Sequence, residues 1–252
     1  MSRRYALRDD QWERIKHMLP GKPGDVGVTA RNNRLFVEAV LYRYRAGIPW
    51  RDLPERFGKF NVVHTRFSRW SKKGIWHKIF AVLSADSDNE YQMIDATIVR
   101  AHQHSAGAKK GGDEAIGRSK GGLSTKIHAT CDALGNPTGF YLTPGQAHDL
   151  QGADVLIPAI DEAEAFLGDK AYDADNRVRA VLAAKGIVPV IPGKSNRKVE
   201  VDYDEELYKA RHLIENFFAK LKQYRAIATR YDKRAVNFLG AIHLAASVVW
   251  LN

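Results

Sequence analysis

Apolar positions recur at helical spacing through the first third of the chain. In Asp9 to Leu19 they fall at Trp12, Ile15, Met18 and Leu19, and in Arg31 to Ala46 at Leu35, Phe36, Ala39, Val40 and Tyr42. A Pro/Gly stretch, PGKPGDVG, separates these two helices, and Gly47 is placed to close the second. The next segment predicts a short helix over Asp52 to Phe57, a turn containing Gly58, and a longer helix from Asn61 to Lys73. Helix, glycine-containing turn and helix is the spacing of a helix-turn-helix. After SADSDNE, which reads as a linker, the period changes to two. Tyr91 to Val99, Leu123 to Asp132 and Gly139 to Thr143 read as strands, and the Gly/Lys-rich Ser105 to Gly122 as a flexible loop. Helix (Asp149 to Ile160), strand (Glu164 to Gly168), helix (Asp173 to Lys185) and strand (Ile187 to Ile191) follow, then a basic loop, PGKSNRK. An antiparallel meander followed by strand and helix alternation amounts to a mixed α/β sheet flanked by helices. The expected organisation is therefore a helical domain over residues 1–85 and an α/β domain over 90–252.

The stretch YKARHLIENFFAKLK, Tyr208 to Lys222, sorts its residues sharply. At 3.6 residues per turn, Tyr208, Arg211, Glu215 and Lys222 share an arc of roughly 60°, while Leu213, Ile214, Phe217 and Leu221 form an apolar side. Asp204, Glu205 and Glu206 suit the positive end of this helix. Two readings stand open from the residues alone: a solvated ion-pair edge, or a carboxylate flanked by cations at the border of a core.

Charge changes the picture more than composition does. A hydrophobic content of 44% argues against global disorder, and 252 residues can bury a sizeable core. The net charge is +10, but residues 1–80 hold 18 Lys and Arg against 7 Asp and Glu, while the remainder hold 21 against 22. All the excess positive charge thus lies in the helical third, as expected of a module that binds a polyanion. Its last long helix offers His64, Thr65, Arg66, Arg69, Lys72 and Lys73, with Val62, Val63, Phe67 and Trp70 as apolar anchors. That mix suits a DNA recognition helix, and replacing Arg66 or Arg69 is expected to weaken DNA binding while sparing the fold. The single cysteine, Cys131, excludes an intramolecular disulfide and fits a reducing cytoplasm. The N-terminus lacks an apolar signal core. The apolar Ala235 to Leu251, interrupted by Asn237, His243 and Ser247, reads as a buried helix rather than a membrane span.

Three carboxylates carry the candidate chemistry. Asp95 interrupts an apolar strand, where an ionised group is costly unless paired or bound to a cation. Asp169 ends the strand AFLG, at the edge where α/β sheets place functional groups, and Glu215 lies on the helix described above. Individually they can be a structural aspartate, a helix cap and an ion-pair member. Together, oxygen ligands on three elements suit Mg²⁺ or Mn²⁺, two of which can clamp the attacking and leaving oxygens of a phosphodiester.

These residues resemble the DDE transposases of the IS5 family of bacterial insertion sequences, in the broader IS4-like group with a ribonuclease-H-like catalytic core. Tyr, two residues, Arg, three residues, Glu, six residues, Lys is that group's signature, and Tyr208, Arg211, Glu215 and Lys222 fit it without a gap. MIDAT, with Asp95, and GDKAYDAD, with Asp169, are similar to the two acidic blocks, and IPWRDLPERFG and TPGQAHDL extend the likeness from about Leu7 to the C-terminus. The resemblance implies a ribonuclease-H-like sheet in which Asp95, Asp169 and Glu215 hold two Mg²⁺ ions, with Mn²⁺ able to substitute. It implies cutting at the element's ends by water, then attack of the freed 3′-hydroxyl on target DNA. Arg211 and Lys222 would support the transition state or grip the backbone, and Tyr208 would contact a nucleotide. The implied partners are double-stranded DNA, both terminal inverted repeats and target, and further copies of the chain in a homodimer or higher assembly, in the cytoplasm at the nucleoid and without a membrane. Lys126 and His148 are weaker DNA-contact candidates, with His128 and Asp149 beside them. The loops at Lys109 to Lys120 and Lys194 to Lys198 are candidate phosphate contacts. His102 and His104 lack a third ligand nearby in sequence and do not predict a zinc site. Two other functions remain open: a ribonuclease-H-like nuclease or resolvase without strand transfer, and a non-catalytic DNA-binding repressor.

Overall fold

Capping chemistry sets the limits of the N-terminal helices. The structure, a computed structural model, describes residues 5–105 and 114–252. Helix α1 (Asp9–Ile15) runs into a 3₁₀ turn (Lys16–Met18), and α2 (Asn33–Ala46) starts where the Asn32 side chain accepts from the Leu35 N–H. Gly47 ends α2 in the left-handed region (φ 73°), as the sequence predicts. The short helix expected over Asp52 to Phe57 does not form. Two 3₁₀ turns, Trp50–Asp52 and Glu55–Phe57, stand there instead, because Pro54 lacks an N–H and disfavours helical geometry in the residue before it. Gly58 (φ 85°) then turns the chain into α3 (Phe60–Lys72), and α4 (Ile75–Ser84) follows. The helix-turn-helix expectation therefore holds for its turn and second helix, and not for its first helix.

Strand β1 (Tyr91–Ala101) is the axis of a seven-stranded mixed sheet. It pairs antiparallel with β3 (Gly122–Cys131), which on its other side pairs antiparallel with β4 (Pro137–Pro144) and, at its start, with the short β2 (Gly117–Ser119). After α5 (Leu150–Leu156), β5 (Ala165–Leu167) lies parallel to β1; after a π turn (Asp175–Arg179) and α6 (Ala180–Ala184), β6 (Val188–Val190) lies parallel to β5. Strand order β4-β3-β1-β5-β6, three antiparallel and then two parallel, is that of a ribonuclease-H-like fold, as expected. The presumed flexible loop is, in its described part, a docked strand: Thr125 Oγ1 donates to the Ala115 carbonyl at 2.6 Å, and Glu114 accepts from the Ala235 N–H. Lys109 and Lys110 lie outside the described residues.

The helix expected from Tyr208 to Lys222 is broken. Helix α7 (Glu205–Tyr208), capped by Asp204, passes through a 3₁₀ turn (Lys209–Arg211) into α8 (His212–Lys222). A one-turn α9 (Arg225–Ala228) and the two-residue β7 (Thr229–Arg230), which pairs with β1, precede α10 (Ala235–Trp250). None of the described helices is long and apolar enough to cross a membrane.

Alternation along β1 feeds two cores. Ile94 joins Phe166, Ile187 and Ile191 beneath α5 and α6, while Met93 and Val99 join Leu167, Ile214 and Phe217 beneath α8. The second of these cores continues without interruption into α1–α4. Helix α10 makes that continuity, packing on both α3 and α4, and it approaches so closely that a Cβ at Gly240 would stand 2.6 Å from Ser71 Oγ. At Gly47 a Cβ would meet the Arg225 Cβ at 2.7 Å in addition to the left-handed backbone. Gly47→Ala is expected to destabilise the chain by about 1–2 kcal/mol or more, read as a lower midpoint in urea unfolding.

Candidate active site

The sheet register brings the first two carboxylates together. Met93 on β1 stands opposite Leu167, the last residue of β5, and Asp95 and Asp169 each lie two residues further along, on one face at the same edge of the sheet. Asp169 caps the 3₁₀ turn Lys170–Tyr172, its Oδ1 accepting from the Ala171 N–H at 2.8 Å. Asp95 Oδ1 accepts from the Ala96 N–H at 2.7 Å. Burial pushes the Asp95 carboxyl above its ordinary range, and the like charge of Asp169 adds to this; the Ala96 N–H and the Arg211 guanidinium oppose it.

The third carboxylate is tied to the first by an arginine. Arg211 Nη1 donates to Asp95 Oδ2 at 3.0 Å, and Nη2 donates to Glu215 Oε1 at 2.5 Å. One planar guanidinium thus bridges β1 and α8, a geometry that a lysine could not copy. Burial works to lower the Arg211 pKa, but the attraction of Asp95 outweighs it together with Tyr208 and Glu215, so the group stays charged. The 3₁₀ turn matters here, because residues three apart eclipse in that geometry and Tyr208 is set over Arg211. Tyr208 feels both the Arg211 cation and the Asp169 charge, and burial raises its pKa. Lys222 is exposed two turns beyond Glu215 on the same helix stripe.

Tyr172 is a member of this site that the sequence did not single out. Its hydroxyl is buried and has no hydrogen-bond partner among the described residues. Burial raises its pKa far above the usual range, helped by the charges of Asp149, Asp95 and Asp169. Its signal was present in GDKAYDAD, but nothing in that spacing distinguishes a core tyrosine from one facing carboxylates.

Other expected residues find different roles. Lys126 is buried, donating to the Ala147 carbonyl at 2.6 Å and pairing with Asp149 at 2.7 Å, so its ammonium fastens the β4–α5 connection and is not free for DNA. His128 is buried as well, bonded to Thr143 Oγ1, and burial lowers its pKa to about 4. His148 is exposed, with Nδ1 accepting from the Leu150 N–H at the start of α5. On α3, His64, Thr65, Arg69 and Lys72 are exposed, and Lys73 is an exposed C-cap. Arg66 is not a surface contact: its guanidinium lies over the Phe36 and Trp70 rings at 4.3 and 4.6 Å and donates to Asn33. The expectation that Arg66 can be replaced without harm to the fold is thereby overturned. The basic loop after β6 is also pinned. Buried Asp173 accepts from Arg179 Nε (2.9 Å), Arg197 Nη1 (2.7 Å) and the Lys194 N–H (2.9 Å).

Among the described residues, no group of three or more His, Cys, Asp and Glu side chains is gathered closely enough to hold a metal ion as it stands. The donor set still fits a hard divalent cation. All three groups offer oxygen, Asp95 and Asp169 share a face, and Arg211 already places positive charge between Asp95 and Glu215. The orphaned Tyr172 hydroxyl adds a buried polar atom without a protein partner.

The fold is thus a ribonuclease-H-like sheet with three acidic groups brought towards one edge. Comparison with known families agrees. Residues 87–250 match the family described as "Transposase DDE domain", and residues 7–80 match "Putative transposase of IS4/5 family". The chain belongs to the DDE transposases of the IS4/5 family, whose members work with divalent metal ions. Among similar proteins, "Putative transposase for insertion sequence element IS6501" of Brucella ovis is 40% identical over 133 residues, covering 51% of this chain and 99% of that protein. "Uncharacterized protein y4sN" of Sinorhizobium fredii is 50% identical over 105 residues, covering 42% and 84%. A solved structure titled "Mos1 transposase paired-end complex with left transposon end" aligns over 80% of this chain and 82% of its own at 11% identity, with a TM-score of 0.28.

Asp173→Ala leaves Arg179 and Arg197 without their buried acceptor and is expected to cost about 3–5 kcal/mol in denaturant unfolding. Burial opposes ionisation of Asp173, yet its three donors hold the carboxyl below the ordinary range. Its contribution is therefore present above about pH 4 and lost on acidification through the lower folded value, so the gap between wild type and Asp173→Asn should narrow below about pH 4.

Proposed function

We propose that the chain is the transposase of an insertion sequence, which binds the element's terminal inverted repeats, cuts there, and joins the freed ends to target DNA. The observation that carries this reading is the placement of Asp95 and Asp169 each two residues past the paired Met93 and Leu167, with Glu215 linked to Asp95 through Arg211. Asp95, Asp169 and Glu215 would hold two Mg²⁺ ions, for which Mn²⁺ can substitute. Such ions, when bound, supply activation of the attacking oxygen and stabilisation of the leaving one.

The chain's own residues do the positioning. The sheet fixes two carboxylates at one edge, and α8 sets the third against them from a buried face. Arg211 and the exposed Lys222 bring positive charge to the edge where phosphate charge develops in the transition state, and Tyr208 is placed to contact a nucleotide beside the scissile phosphate. Residues 1–85 act in this reading as the DNA-gripping domain and 90–252 as the catalytic domain. Cutting two ends and joining them requires the ends to be paired, which points to a homodimer or higher assembly on DNA at the nucleoid, in the cytoplasm.

Asp95→Ala, Asp169→Ala and Glu215→Ala should each remove Mg²⁺-dependent cleavage of DNA carrying the element's ends, by on the order of 10²–10³-fold or more. Near-normal cleavage in any one removes that residue from the site. A target-joining assay on the wild type separates the nearest alternative: hydrolysis without joined product leaves a nuclease, and Mg²⁺-indifferent binding without cutting leaves a repressor.

A further inference from the structure

A cleft of about 610 Å³ opens away from the three carboxylates, between α3 and the chain segment that leads into α10. One wall is the α3 face that starts at His64 and recurs at Thr65, Ser68, Arg69 and Lys72, the spacing of a single helical side. The other wall is Tyr231 to Arg234 with Asn237, and Ser68 Oγ donates to Asn237 Oδ1 at 3.3 Å to tie the two together. Arg43 of α2 lies at the floor. Its residue is only 3% exposed, and its Nε and Nη1 have no hydrogen-bond partner among the described residues. Asp232 is its nearest carboxylate, at 3.6 Å, too far for a hydrogen bond, and that carboxylate already accepts from the Tyr44 hydroxyl at 2.9 Å. The Tyr44 and Trp50 rings lie under the guanidinium at 4.4 and 4.9 Å and offset part of its burial, but a ring face does not satisfy an N–H in its plane.

What the cleft lacks is acceptor oxygen. Arg43, Arg69, Lys72, Lys233 and Arg234 face one carboxylate, Asp232, and among the described residues the four exposed cations have no ion-pair or side-chain hydrogen-bond partner. We propose that this cleft is a phosphate-binding notch for the backbone of duplex DNA, built jointly by α3 and the Tyr231–Asn237 segment with Arg43 as its buried donor. The proposal rests on the reading of α3 as a DNA-contacting helix and extends that contact to a segment that begins 159 residues after the end of α3. Cations on two separate elements, with the neutral Thr65 hydroxyl between them, suit a polyanion that runs through the cleft better than one compact anion.

The test is binding of the full chain to a duplex oligonucleotide, followed by fluorescence anisotropy across a salt series. The double variant Lys233→Ala/Arg234→Ala should bind more weakly at low salt and reduce the slope of log K against log salt by about two, at about 0.9 per lost phosphate contact. Its further loss of affinity between 50 and 200 mM salt should then be about tenfold smaller than that of wild type. Arg43→Gln should reduce the slope by about one; should that variant fail to fold, the surface pair decides alone. A charge-matched pair on the α5–α6 face, Arg177→Ala/Lys185→Ala, should leave the slope unchanged. Wild-type slope and affinity in the Lys233/Arg234 variant, or an equal fall in the Arg177/Lys185 variant, overturns the notch. Absence of duplex binding by the wild type instead overturns the DNA reading on which the notch rests.

Discussion

The candidate active site depends on the guanidinium of Arg211. Asp95 is partly buried, and the charge of Asp169, just beyond the end of the neighbouring β5, adds to what disfavours its ionisation. A third acid, Glu215, could not approach from α8 without some positive charge at the junction. Arg211 supplies that charge with a fork whose two nitrogens reach different elements, 3.0 Å to β1 and 2.5 Å to α8. The requirement explains why the segment before α8 is not a plain α-helix. A 3₁₀ turn ending at Arg211 brings Tyr208 within the field of its guanidinium, whose two nitrogens reach Asp95 and Glu215.

Holding α8 in place is a task for the rest of the chain. Ile214, Phe217 and Leu221 fasten its apolar side to the core beneath β1, and that core runs on into α1–α4 through α10. The contact between Gly240 and Ser71 lets α10 sit almost backbone to side chain on α3. Expected organisation and observed packing diverge here. The linker composition of SADSDNE suggests a division, and the change from helix to strand does fall there, yet the hydrophobic core ignores the boundary because the last helix returns to the first ones. Helix α3 and the edge that carries the three carboxylates are thus built on one core.

Strands, long helices and the three acids were legible in the sequence because each is a local signal. Period two marks β1, β3 and β4, an apolar stripe marks α8, Asp95 stands out as a charge at a strand position that normally excludes one, and Asp169 as a charge just past a strand end. What escaped had its cause far away in the chain. Arg66 looks like an exposed cation until α2 presents Phe36 and Asn33 to it; Lys126 looks like a surface lysine until Asp149 returns across the sheet. The two-residue β7 and the one-turn α9 are too short for any period to register. Pro54 was visible, but the apolar spacing around it still suggested a helix, and the missing N–H prevailed.

The same distinction resolves where the basic charge of the chain is available. Arg179 and Arg197 are matched by Asp173, Lys126 by Asp149, and Arg66 by aromatic rings, so these cations stabilise loops and helix contacts. Arg69 and Lys72 on α3, with Lys233 and Arg234 across from them, have no such partner among the described residues. Two of those four lie outside the basic N-terminal third, in the part of the chain whose net charge is close to zero. Net charge by segment therefore locates the excess of cations in the N-terminal third and misses the two exposed ones that the fold brings beside α3. An electrostatic surface is assembled by the fold, and a cation contributes to it only when no carboxylate or ring inside the protein has already matched it.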